Sequence, residues 1–259
     1  LDVYLNDRNL FEDFIAKGSV TNLKTEIIDN INLDKINFTF FLDKTDALIK
    51  NFSGESGPIK INNGDLKLKF SPEILIDTNF ATNIKYNNNF TNFKNLINKI
   101  SHTKNIISFE ADLDNSFSVN LDKTYKIRKY DHKSKGKISK SYFKFKKPLK
   151  NNLLDKDIDQ LLLENSEFRA NFNSKNNNTN MSGKYSLNQG NKLLYSFNNT
   201  TNGELFKLKL DAEYDQPIDF ELINYEKPKN SIANISINLV KQKDNLRIKN
   251  INFTEKDNS

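Results

Sequence analysis

Strict alternation of apolar and polar residues is the feature that most constrains this chain. From Pro58 onward, Ile59 and Ile61 alternate with Lys60 and Asn62, and Leu66, Leu68 and Phe70 alternate with Asp65, Lys67 and Lys69. After Ser71-Pro72, one parity holds Ile74, Ile76, Thr78, Phe80, Thr82, Ile84 and Tyr86, and the other is mainly polar. Successive side chains of a strand point to opposite faces, so a period of two predicts strands with one apolar face and one wet face. Asn63-Gly64 has the composition of a type I′ turn and predicts a hairpin at that point.

The same pattern recurs at Phe14-Ala16-Gly18-Val20, Ile36-Phe38-Phe40-Leu42, Phe109-Ala111-Leu113 and Phe117-Val119-Leu121. It returns in Tyr142 to Phe145, Phe168-Ala170-Phe172, Tyr185-Leu187, Tyr195-Phe197, Leu208-Leu210-Ala212-Tyr214 and Ile218-Phe220-Leu222. The last examples are Ile235-Ile237-Leu239, Leu246-Ile248 and Ile251-Phe253. Well over half the chain is therefore expected to be strand. Asn, Asp and Ser supply most of the punctuation, and Asn202-Gly203 and Gln189-Gly190 are the clearest turns. Asn tolerates the left-handed backbone that Gly would otherwise supply, so 8 glycines suffice. The Asn-rich tract from Lys175 to Asn180 is expected to be a hairpin loop.

Two segments depart from the alternation. Phe93, Leu96, Ile97 and Ile100 sit at i, i+3, i+4 and i+7 behind a candidate N-cap, Asn92, which predicts a short helix near 92–100. Leu154-Ile158-Leu161-Leu162 fits either a helical turn or a strand, because periodicity does not separate short apolar runs. No Pro-rich linker or repeat of fixed spacing divides the chain. The expectation is an all-β fold with one or two short helices, built as one continuous segment over 1–259 around a long, twisted, mainly antiparallel sheet.

Only 36% of the 259 residues are hydrophobic, but 20 Phe and 9 Tyr are enough to furnish an apolar face. The absence of Cys excludes disulfides and thiol chemistry while leaving the compartment open. The sequence lacks an initiator Met and any apolar run near the ~20 residues needed to cross a bilayer, so a segment of a longer protein is expected. A net charge of +6 comes from 39 basic and 33 acidic residues, too balanced to define a partner.

No reactive constellation emerges. His102 and His132, each read as lying in a loop or at a helix end, have no His or Cys partner at ligand spacing. Asp155-Asp157-Asp159 opens like a calcium loop, but Gln160 stands where Gly is required and Ser166 where the bidentate Glu belongs. The glycines form no phosphate-binding loop. A non-enzymatic protein without metal or cofactor is expected. Between Lys123 and Lys150, basic residues including Lys126, Arg128, Lys129, Lys133, Lys135, Lys137, Lys140, Lys144, Lys146 and Lys147 interleave with Tyr125, Tyr130, Tyr142, Phe143 and Phe145. Such interleaving suits single-stranded nucleic acid or an anionic membrane surface. The simpler reading makes Lys144 and Lys146 the solvated parity of a strand whose Phe143 and Phe145 face inward, and no nucleic-acid partner is expected.

What remains is the apolar face, which is either the sealed core of a structural or adhesion-type β-sandwich or an open groove. An exposed apolar surface of such extent binds something. Leu66, Leu68, Phe70, Ile74, Ile76, Phe80 and Ile84, the inward parity of the clearest strands, are the candidate lining residues.

The order of segments carries a family resemblance. Phe14 to Leu23 is followed by "INLDKINFTFFLDKTDALIKNFSG" and by Pro58 to Leu66, then by "MSGKYSLNQGNKLLYSF" and finally "LRIKNINFTEKDNS". This succession resembles the AsmA-like envelope proteins, in particular the YhdP-type branch, over most of the chain. The resemblance implies a U-shaped β-groove spanning the periplasm, anchored in the inner membrane by a helix outside this chain. It further implies phospholipid acyl chains as the partner, moving along the groove between inner and outer membranes. It carries no catalytic residues.

Overall fold

The computed structural model describes residues 2–5, 11–28, 31–70, 73–90, 93, 106–150, 157–220, 224–229 and 231–255. The first six strands are β1 Asp2–Leu5, β2 Phe11–Ile28, β3 Ile31–Asp43, β4 Asp46–Ser56, β5 Ile59–Lys69 and β6 Ile74–Asn87. Three long strands follow, β7 Ile106–Leu121, β8 Ile127–Leu149 and β9 Ile158–Asn173. Next come β10 Asn176–Leu187, β11 Leu193–Asn202, β12 Leu205–Tyr214, β13 Ile218–Phe220, β14 Tyr225–Lys227, β15 Ala233–Gln242 and β16 Asn245–Glu255. Fourteen strands form one antiparallel sheet in the order β1 through β12, then β15 and β16; β13 and β14 pair separately. Most strands lie beside their predecessor in sequence, as connections of a few residues such as Gly57-Pro58 require. The sheet is not closed: β1 and β16 are its two edges.

The chain packs as two compact units, one comprising Leu1–Ile100, Ala111–Lys135 and Asn171–Ser174, the other Ser101–Glu110, Gly136–Ala170 and Lys175–Ser259. Strands β7, β8 and β9 contribute residues to both.

In the first unit a line of β-bulges crosses four neighbouring strands. Asn22, Lys35, Asn51 and Asn63 have φ values of 53, 53, 56 and 51° and sit where the registers of β2, β3, β4 and β5 shift. Each bulge places an extra residue in its strand and reverses the parity beyond it. Ile61 thus lies opposite Thr82 and Leu66 opposite Thr78. The odd residues before the bulge and the even residues after it therefore share one face with the even positions of β6.

This corrects the hairpin expected at Asn63-Gly64. The strand β5 runs straight through both residues, and the chain reverses instead at Gly57-Pro58, between the paired Ser56 and Ile59. A left-handed Asn serves a bulge as well as a turn, and here β4 and β6 pair with β5 on both sides of it. Gly64 is needed because a Cβ there would approach the Cβ of Phe52 to 3.0 Å.

Two further expectations change, and one open alternative is decided. Asn176 to Asn180 are not loop but the start of β10, paired with β11 from Asn176↔Asn202 to Asn180↔Asn198. His132 lies within β8 rather than in a loop. The ambiguous segment resolves as strand from Ile158 onward, with Leu161 and Leu162 inside β9, while 151–156 fall outside the described residues. The helix expected at 92–100 also lies outside the described residues except for Phe93, which is buried with its ring where a Cβ on Gly57 would stand, 2.5 Å away. His102 and Leu222 are likewise outside them.

Candidate functional site: an apolar sheet face

Cross-strand partners in an antiparallel pair share a face, so the registers trace the apolar surface strand by strand. In the first unit one row runs Ala16, Leu42, Ala47, Leu68, Ile76, and the next Gly18, Phe40, Ile49, Leu66, Thr78. Beyond the bulges the face continues through the pairs Gly54↔Ile61 and Ile61↔Thr82, and Ser56↔Ile59 and Ile59↔Ile84. The rings of Phe40 and Phe52 stand 6.3 and 6.4 Å from that of Phe38.

The candidate residues Leu66, Leu68, Ile74, Ile76, Phe80 and Ile84 are all only partly buried. Phe70, just past β5, continues the parity of Leu66 and Leu68, is 40% exposed, and donates its backbone N–H to Thr45 O at 2.8 Å. The opposite face carries Lys67 against Asp77 and exposed ion pairs such as Lys50–Asp65 at 2.8 Å and Lys35–Glu55 at 3.0 Å. Pairs so exposed to solvent add little to stability. Polar groups enter the apolar side at Asn115, whose Nδ2 donates to Thr82 Oγ1 at 3.1 Å. His132 stands among aromatic rings, with Phe117 at 5.9 Å and Phe172 at 6.1 Å.

In the second unit the rows are Met181, Phe197, Leu210, Ile237, Ile251 and Asn199, Leu208, Leu239, Ile248. The outermost row is Thr201, Phe206, Lys241, Leu246. A buried cluster of Leu163, Tyr185, Leu193 and Tyr195 closes the opposite end of these strands. Tyr185 Oη donates to Glu213 O, and burial pushes its phenol well above the usual range. Exposure is graded along the face: Ala233 is 0% exposed and Tyr195 9%, whereas Ile251 is 58% and Leu246 60% exposed.

The basic tract follows the same alternation. Lys129, Lys133, Lys135 and Lys137 are exposed along β8 and alternate with partly buried Tyr130 and His132 and buried Ser134 and Ile138. Phe143 and Phe145 are partly buried and Lys144 is exposed between them; the side chain of Lys146 lies outside the description. At the β7–β8 turn, Asp122 accepts from the Thr124 hydroxyl, the Lys126 and Thr124 amides and the Arg128 guanidinium, which hold its carboxyl at about 2.

Among the described residues no group of three His, Cys, Asp or Glu side chains is placed to hold a metal. Sequence reasoning missed the bulges, although the switch from odd Ile61 to even Leu66 around an Asn was a readable signal. It also missed the β13–β14 hairpin as a separate element. No family model, curated protein or solved structure matches the chain.

Proposed function

We propose that this chain is an internal segment of a periplasm-spanning envelope protein of the AsmA-like, YhdP-type kind, anchored to the inner membrane by a part outside this chain. Its apolar face carries phospholipid acyl chains between the inner and outer membranes without catalysis. The observation that carries this reading is the row-by-row continuity of partly exposed apolar side chains, from Ala16 to Ile76 and from Met181 to Ile251. A tail drawn into water loses about 0.8 kcal/mol per CH₂, and contact with such a face offsets much of that cost. Rows of similar aliphatic residues offer no deep local well, so sliding along them meets low barriers. A sealed sandwich needs a second sheet over the face, and among the described residues the only strands outside the main sheet are β13 and β14.

The test is photolabelling of the purified chain with phosphatidylethanolamine carrying a diazirine in its acyl chain, together with native mass spectrometry for retained phospholipid. Label is expected on β5 and β6, and Leu68→Asp or Phe80→Asp is expected to reduce it roughly tenfold, equivalent to about 1.4 kcal/mol. Unchanged labelling in both variants, or no lipid on the wild-type chain in either experiment, refutes the proposal.

A further inference from the structure

Among the described residues, the apolar face of the second unit is covered at one end, by the hairpin of β13 and β14. The hairpin of β13 and β14 leaves the sheet after Tyr214 and returns at Ala233, and its residues stand over the last row of the face. The ring of Tyr225 meets that of Phe253 edge-on, with centroids 5.9 Å apart and planes at 75°. The phenol of Tyr225 donates to Glu255 Oε2 at 2.5 Å. Beside the hairpin Ala233 is 0% and Tyr214 8% exposed, and Ile218 of β13 itself is 5% exposed, while Ile251, two residues from Phe253, is 58% exposed.

The cover is built around a buried cation. Lys227 is 0% exposed and its ammonium donates to Ser231 O at 2.6 Å and Pro228 O at 3.1 Å. Ser231 is itself buried, and its hydroxyl donates to Pro228 O at 3.1 Å. Asp215 and Glu255 are the carboxylates whose charge acts on Lys227. Taking an ammonium out of water is tolerable only where its hydrogen bonds and countercharge are provided, so the docked hairpin is a specific arrangement and not an accidental contact.

At the other end of the same strands the face is open, with Leu246 and Ile248 60% and 58% exposed beside Phe206 and Lys241. From Leu246 to Phe253 the strand advances about 20 Å, because the bulge around Lys249 leaves six steps of ~3.3 Å along the paired β15. One leaflet of a hydrocarbon core, the length of one lipid tail, is about 15 Å. A single tail therefore fits along the run before reaching the hairpin.

We infer that the β13–β14 hairpin is the closed end of this face, so that an alkyl tail enters past Leu246 and lies with its methyl end toward Tyr225. The inference rests on the lipid-carrying reading and adds to it a direction of entry and a stop.

Two phosphatidylethanolamine probes test it on the full chain, one with a diazirine at the methyl end of the acyl chain and one with it next to the carbonyl. The methyl-end probe is expected to label Tyr225 and Phe253, and the carbonyl-end probe Phe206 and Leu246. Ile248→Asp, at the open end, is expected to remove the methyl-end label without altering hydrogen exchange in the hairpin. Labelling of the face with no positional bias, or with the bias reversed, overturns this inference and leaves the lipid reading standing. No labelling by either probe overturns both. Independently, Tyr225→Phe combined with Glu255→Gln is expected to accelerate amide exchange of residues 231–235 at least tenfold; unchanged exchange refutes the hairpin as a held stop.

Discussion

Tyr195 on β11 donates its phenolic hydrogen to the buried Ser166 hydroxyl on β9 at 2.7 Å, reaching across the strand between them at Gly183. A Cβ at position 183 would stand 2.5 Å from Ser166 Oγ and 2.7 Å from Ser166 Cα, so only glycine leaves the crossing open. Burial raises the Tyr195 phenol above its ordinary pKa, consistent with a neutral donor held away from water. Gly183→Ala is expected to destabilise the protein by about 1–3 kcal/mol through overpacking. Tyr195→Phe is expected to cost about 1 kcal/mol for the lost hydrogen bond. Because the added methyl already breaks that bond, the double variant should lose less than the sum, measured as urea midpoints at constant slope.

The bulge at Asn63 gives a second prediction. Asn63→Gly keeps the left-handed backbone and should change stability by no more than a few tenths of a kcal/mol, whereas Asn63→Val should cost about 1–2 kcal/mol. Deleting Asn63 turns Ile59 and Ile61 to the polar side while Leu66 and Leu68 stay, so amide protection in β5 should collapse on one side of the deletion. Retained protection on both sides would show that the bulge does not set the face.

Exposure separates the edge strand from the core of the second unit. Leu193, 6% exposed within the buried cluster, should cost about 2–5 kcal/mol when replaced by Ala. Ile251→Ser, at a position 58% exposed, should change stability by less than about 0.5 kcal/mol. Comparable losses in the two variants by thermal or urea unfolding would mean that the edge row is covered in solution.

The β7–β8 turn should respond to acid. The carboxyl of Asp122 is held at about 2 against an ordinary 3.8, chiefly by the Thr124 hydroxyl and then by the Lys126 and Thr124 amides. A carboxyl depressed in the folded state stabilises above its unfolded pKa, and that contribution is lost as pH falls through the folded value. Ordering of residues 122–126 is therefore expected to persist at pH 4 and to decay toward pH 2. Carboxyl-carbon NMR should give a midpoint near 2 for Asp122, and Asp122→Asn should abolish this acid limb; a midpoint near 3.8 would contradict the turn geometry.

The strand β6 was legible in full because no bulge interrupts it, so Ile74 to Tyr86 keep one parity from end to end. In β5 the same reading found the apolar residues but misassigned Asn63-Gly64. The local chemistry of a left-handed Asn is common to turns and bulges, and the choice lay with β4 and β6, which supply partners on both sides. In β16 parity also switches around Lys249, where Leu239 pairs with Ile248 but Ile237 with Ile251. The candidate lining residues follow one face because Leu66, Leu68 and Phe70 all lie beyond the Asn63 bulge, and Leu66 and Leu68 pair in register with even positions of β6.

Alternation by itself determined that this chain is built of strands and which side chains of each strand go together. Tertiary structure alone decided which strand lies opposite which residue, where parity reverses, and where the apolar side is covered. Nothing local links Tyr225 to Phe253 or brings the charge of Glu255 to Lys227. The backbone period assigns each residue to a side of its own strand, but what stands above that side depends on partners distant in the chain.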